Sequence, residues 1–176
     1  MAIRVYNDRI ELGDYTLTYS SAESRFEFDG TITALSYSEP TPPPPMSGTV
    51  SGYTSGGLAP PLVNTIDKFP FATDANATDV GDLTESRDGI IGQSSDTDGY
   101  TSGGKDAFFF SLDVIDKFPF ATDANATDVG DLTQARFTGA GQSSPENGYV
   151  SGGAIPDSNV IDKFPFASDA NATDVG

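Results

Sequence analysis

IDKFPFATDANATDVGDLT, residues 66–84, recurs unchanged at 115–133, and a third copy at 161–176 differs only in Ser168 before the chain ends. Other fixed words surround it. GYTSGG at 52–57 returns at 99–104 and, as GYVSGG, at 148–153; GQSS stands at 92–95 and 141–144, each time a few residues after an arginine, Arg87 or Arg136. The GY words are spaced by 47 and 49 residues and the long phrase by 49 and 46, so the unit is about 48 residues. Repeats of that period, with strand and turn signals, are those of four-stranded β-propeller blades. Within one unit the pattern predicts strands near 51–55, 63–69, 80–87 and 90–94, turned by the glycine pairs and the DANATD segment. A propeller closes with roughly four to eight blades. Two units and the start of a third therefore read as the front part of a longer array.

Two zones precede the repeats. In residues 1–39, Ile3 and Val5, Ile10 and Leu12, Tyr15 and Leu17, Phe26 and Phe28, and then Ile32 alternate with polar neighbours, the period of half-buried strands. Asp29-Gly30 between Phe28 and Thr31 is a hairpin signal. So thin an apolar set predicts a β meander that needs neighbours, of its own kind or another, to be stable. Residues 40–47 hold Pro40 and the run Pro42 to Pro45, a polyproline spacer. Residues 48–176 then divide into repeats at 52–98, 99–147 and, in part, 148–176. The fold expected is all-β throughout.

Composition narrows the chemistry. The chain has no His, Cys or Trp, so catalytic triads, zinc hydrolysis and thiolate metal sites lose their usual parts, leaving carboxylate chemistry of the glycosidase kind. Its net charge of −17 is spread over both zones, −4 in residues 1–39 and −13 in residues 40–176. Such a surface repels nucleic acid and anionic membranes and attracts divalent cations. The N-terminal residues MAIRVYNDRIELG show no signal-peptide or membrane-anchor pattern, so no membrane insertion is expected.

Three features carry candidate sites. Asp74, Asn76, Thr78 and Asp79, with Asp123, Asn125, Thr127 and Asp128 in the next copy, place oxygen ligands at the alternating positions that calcium loops use. Calcium is thus the one cofactor the side chains suggest. Against it, the EF-hand pattern asks for Gly at the sixth position and Glu at the twelfth, where Asp79 and Glu85 stand and where the next copy has Gln134. The same side chains serve equally as turn caps. Asn76, Asn125 and Asn171 each begin a glycosylation sequon, a short word frequent by chance. Phe69-Pro70-Phe71 and its copies read as packing between units, and Lys68 and Arg87 as salt-bridge partners of neighbouring carboxylates. The third feature is variation. Between SGG and IDKFPF the chain reads LAPPLVNT, then KDAFFFSLDV, then AIPDSNV. A fixed frame carrying varied loops is how repeat proteins build binding surfaces. Phe108, Phe109 and Phe110, an apolar triplet the frame does not need, are the candidate binding residues.

The opening MAIRVYNDRIELGDYTLT followed by FEFDGTITALSY, and the array GYTSGG, IDKFPFATDANATDVGDLT and GQSS, resemble the fibre-type virion proteins of tailed bacteriophages, those of cyanobacteria especially. The repeats also distantly resemble kelch-type propeller blades through the Gly pair after a Tyr, although the kelch Trp has no counterpart. The resemblance implies a non-enzymatic structural protein of the virion, assembled in the host cytoplasm. It further implies a homotrimer whose residues 1–39 sit on head or tail proteins and whose distal part faces a host surface glycan or protein. Two other classes compete. A calcium-stabilised bacterial surface adhesin rests on the DANATD loops. A propeller glycosidase ranks last, because every acidic residue of the fixed phrase is repeated, whereas an active site is normally unique.

Overall fold

The computed structural model describes the backbone of four strands within the first 28 residues and, in full, residues 50–154 and 157–176. The chain divides into two compact units, Met1–Pro42 and Pro43–Gly176. Among the described residues both are β structure with no helix.

In the first unit β1 (Ile3–Val5), β2 (Arg9–Leu12), β3 (Tyr15–Ser20) and β4 (Arg25–Phe28) form one antiparallel meander. Its register lines up the alternating apolar positions. Val5 stands opposite Ile10, Ile10 opposite Leu17, and Leu17 opposite Phe28, one row across all four strands. The Asp29-Gly30 turn, the strand expected at Ile32 and the proline spacer of residues 40–47 lie outside the described residues.

The second unit holds 11 strands in three antiparallel sheets. The first sheet is β5 (Ser51–Gly57), β6 (Val63–Pro70) and β7 (Thr78–Asp82). The second is β8 (Ile91–Ser94), β9 (Asp98–Ser102), β10 (Val114–Pro119) and β11 (Thr127–Asp131). The third is β12 (Ala140–Ser143), β13 (Asn147–Ser151), β14 (Ile161–Pro165) and β15 (Thr173–Asp174). All three are open, and no barrel or propeller closes among the described residues.

Two sequence expectations change here. The strand expected at 80–87 is β7 at 78–82, because Leu83, Thr84 and Arg87 leave the sheet and enter the contact with the next one. The GQSS strand expected to complete its own unit instead begins the following sheet, Gln93 pairing with Tyr100 on β9. A three-residue turn makes that hairpin. Ser95 caps it, accepting from the backbone N–H groups of Thr97 and Asp98. The repeat as written and the sheet as folded are therefore out of phase by one strand.

The invariant glycine of GYxSGG has a packing cause. A Cβ on Gly52, Gly99 or Gly148 would stand 2.2–2.3 Å from Cζ of Phe69, Phe118 or Phe164, each ring lying across the neighbouring strand. One aromatic per sheet thus covers a bare backbone, a cross-strand pairing that also pins register. The β6–β7 and β10–β11 ladders each shift by one residue, after Ile66 and after Ile115.

Successive sheets pack face to face. Ile66, Leu83, Phe118 and Ala126 form one core between the first and second, with Tyr53, Val80, Ile90 and Phe120 against it. Ile91, Tyr100, Ile115, Leu132, Val150, Phe164 and Ala172 form the next. Tyr53 stacks on Phe120 at 4.9 Å and Tyr100 on Phe166 at 4.8 Å, so each Tyr meets the FPF word of the following sheet.

Candidate functional site

Every seam between sheets carries the same buried ion pair. Arg87 follows the first sheet and reaches Asp116 of the second, its Nη2 lying 3.0 Å from Oδ2, with both side chains fully buried. Thr84 completes the carboxylate's partners, donating its backbone N–H to Oδ2 at 3.0 Å and its hydroxyl to Oδ1 at 2.8 Å. In the second seam Arg136 stands 2.9 Å from Asp162, and Thr133 donates through both N–H and hydroxyl. Arg87 also donates to the Thr101 carbonyl, and Arg136 to that of Val150. Nε and Nη1 of both arginines find no acceptor among the described residues. The arginines read as salt-bridge partners of neighbouring carboxylates do make those pairs, and they are among the largest fully buried side chains of the array.

The second and third DANATD segments, residues 123–128 and 169–174, lie along the outer part of these seams. Asp123 accepts from Lys68 of the preceding sheet at 3.2 Å, a contact that raises the lysine pKa. Asn125 Oδ1 accepts the Asp82 N–H at 3.1 Å, and the backbone N–H of Ala126 donates to the Asp82 carbonyl at 2.8 Å. Asp79 and Asp128 each accept the N–H two residues on, from Gly81 and Gly130. Thr78 and Thr127 stand in the ladders opposite Lys68 and Lys117. Asp74 and Asn76 occupy the same places on the first sheet that Asp123 and Asn125 occupy on the second. Several of the oxygens read as calcium ligands thus serve turns and seams, and among the described residues no three carboxylates converge on one point.

The phenylalanine triplet is placed quite differently. It sits in the 105–113 connection between β9 and β10, which leaves the frame at Gly103 and Gly104, both with positive φ. Lys105 anchors the base, its Nζ 2.6 Å from Asp88 Oδ1, while its backbone N–H donates to the Asp88 carbonyl. Asp106 then organises the tip. Its carboxylate accepts the N–H groups of Phe108 and Phe110 at 2.8 and 2.9 Å, and its backbone pairs with Phe110 and Phe109. Phe109 adopts φ 67°, a left-handed conformation that costs a residue other than Gly about 1–2 kcal/mol.

The result is three adjacent rings held into solvent, Phe108 79% exposed, Phe109 73% and Phe110 69%. Lys105 lies over the Phe109 ring at 4.6 Å. Beside the tip a cleft of about 210 Å³ is lined by Leu58, Pro60, Pro61 and Leu62 from the matching connection of the first sheet, together with Phe109. Two of the three varied connections thus meet in one apolar surface. Elsewhere among the described residues Phe71 is the one ring so exposed, and Tyr100, Phe118 and Phe164 are buried in the cores. The 105–113 loop thus combines a backbone conformation unfavourable to Phe109 with an exposed apolar patch, at a place where the other two connections carry no phenylalanine.

No protein-family model matches the chain, and no curated protein is similar to it at a significant level.

Proposed function

We propose that this chain is a non-enzymatic virion structural protein, a fibre or decoration subunit of a tailed bacteriophage. In this reading residues 1–39 seat it on head or tail proteins, and the repeats project toward the host surface. The observation that carries the proposal is the loop of Phe108, Phe109 and Phe110: a frame of near-identical sheets holds one non-repeated apolar tip outward at a cost in strain. Attachment demands that division of labour between a stiff, duplicated scaffold and a varied contact loop.

The meander of β1 to β4 and the Pro42 to Pro45 run support an anchored projection, the anchor completed by two further copies in a homotrimer. The seams between sheets support blade-like packing of the repeats. Host contact would be with a surface glycan or protein, since a surface of net charge −17 disfavours anionic lipid and nucleic acid.

The test is immunogold labelling of purified virions with antibody against residues 50–176. Label on intact particles, and loss of host adsorption when antibody occupies the Phe108 loop, are expected. Unlabelled particles would overturn the proposal.

A further inference from the structure

The three phenylalanines of the 105–113 loop spend their N–H groups inside the loop. Those of Phe108 and Phe110 donate to the Asp106 carboxylate at 2.8 and 2.9 Å, and that of Phe109 to the Asp106 carbonyl at 3.1 Å. The Asp106 N–H in turn donates to the Phe110 carbonyl at 3.0 Å. Hydrocarbon offers a donor no acceptor, so a loop that enters an apolar medium must satisfy its N–H groups by itself. The neighbouring connection meets the same condition by another route, since Pro60 and Pro61 have no N–H. What the tip turns outward is mainly ring carbon, with no N–H of the triplet left to read the hydroxyls of a sugar.

Charge and size narrow the occupant further. Residues 58–62 and 107–110 carry no charge, while the chain as a whole carries −17. That uncharged island suits a surface without net charge, and the surrounding field repels an anionic one. The three rings, 69–79% exposed, and Leu58, 72% exposed, present on the order of 500 Å² of apolar surface. A stable protein interface takes about 800 Å² from each partner, with a polar rim that pairs. A bilayer interface asks for neither a matching shape nor a rim, only for apolar area that can leave water. The first charges on the N-terminal side of the tip, Lys105 and Asp106, are both engaged within the fold and set how far the rings can enter.

We propose that Phe108, Phe109 and Phe110, with Leu58, Pro60 and Pro61 beside them, form a shallow docking site for a lipid bilayer of uncharged headgroups. The rings enter to the level of the upper acyl chains, and the array stays in water. This contact comes in addition to attachment through a glycan or protein. It rests on the loop alone and not on the virion reading.

The experiment is flotation of the full chain with large vesicles of phosphatidylcholine, and with vesicles of equal parts phosphatidylcholine and phosphatidylglycerol. The protein is expected to float with the first and more weakly with the second. Phe108→Ser with Phe110→Ser is expected to weaken flotation by about tenfold or more at an unchanged melting temperature, because both rings are exposed. The chain has no Trp, so Phe108→Trp gives a second reading. Its emission is expected to shift to the blue with phosphatidylcholine vesicles and to be quenched by brominated acyl chains. No flotation with phosphatidylcholine overturns the proposal, as does undiminished flotation of the double variant or a Trp emission that vesicles leave unmoved. Self-association in sedimentation velocity, lost in the double variant, from a chain that ignores vesicles would assign the patch to a second copy and overturn it too.

Discussion

Asp116→Ala removes one carboxylate from the centre of the first seam, and its cost follows from what that carboxylate holds. It takes Arg87 Nη2 at 3.0 Å and both donors of Thr84, all in a place where Arg87 and Asp116 are fully buried. The substitution leaves the buried guanidinium with only the partly exposed Glu85 carboxylate, 3.9 Å from Nη1, as counter-charge, and its Nε and Nη1 have no hydrogen-bond acceptor among the described residues to begin with. Removing one partner of such a pair costs about 3–5 kcal/mol. For an array of this length, at roughly 2–4 °C per kcal/mol, the melting temperature falls by about 6–20 °C. Replacing the pair by hydrophobes, Arg87→Met with Asp116→Leu, takes both charges out of the seam and is expected to recover most of the loss. Urea unfolding followed by circular dichroism, with the single variants and the pair completing a cycle, measures the coupling. A loss below about 1 kcal/mol for Asp116→Ala would refute the reasoning, since the pair would then be hydrated rather than buried. A double variant as unstable as the single would refute it too.

Gly141→Ala places a methyl 2.2 Å from the Gly92 carbonyl and is expected to destabilise by about 1–3 kcal/mol, whereas Gly92→Ala, one seam earlier, is expected to be near neutral in the same melt. Phe109→Asn relieves a left-handed phenylalanine, so stability is expected to hold or rise slightly while adsorption to host cells falls; a loss of stability would show that the exposed ring has a packing role. Burial, helped by Asp98 and Asp169, pushes the Tyr100 hydroxyl up to about 12. Its raised folded pKa means that the stabilisation is whole below the unfolded value near 10 and is lost as pH rises toward about 12, where the unfolded phenol ionises first. Tyr100→Phe is expected to flatten that alkaline slope in melts run from neutral pH upward. Millimolar calcium is expected to leave the melting temperature unchanged, because Asp79, Asn125 and Asp128 serve backbone N–H groups; a clear rise would restore the adhesin reading.

What could be read from the sequence was what period alone determines. Alternation in β1 to β4 and the repeat period set strands of the right kind in nearly the right places. The phase of the sheets was hidden, because GQSS is adjacent in sequence to the unit it leaves and to the unit it joins, and only pairing distinguishes them. Arg87 and Asp116 were legible as charges but not as a buried pair, since nothing local says that two residues 29 apart in sequence end up face to face. The Gly pairs of GYxSGG read as turn formers and do carry positive φ, but nothing in the sequence showed why Gly52, Gly99 and Gly148 must be glycine inside a strand, under phenylalanine rings. The triplet Phe108, Phe109 and Phe110 was visible as an oddity because the repeat supplied its own control: two other connections at the same place do without it. Its carboxylate cap was missed. Asp106 lies one residue short of the triplet, with Ala107 between, and an Asp two residues ahead of a solvent-facing ring is a turn-capping signal that spacing alone offers.

The most direct test of the stacked-sheet account is a cross-link in a chain that has no cysteine of its own. The hydroxyls of Ser55 on β5 and Thr101 on β9 lie 2.9 Å apart across the first seam, 46 residues apart in sequence. With Ser55→Cys and Thr101→Cys together, mild oxidation of the native protein is expected to form the disulfide in full, read as a shifted band on a non-reducing gel and as the loss of both free thiols by mass. Thiols that stay free in the native state and pair only after unfolding would contradict the account, because the first and second sheets would not be packed face to face.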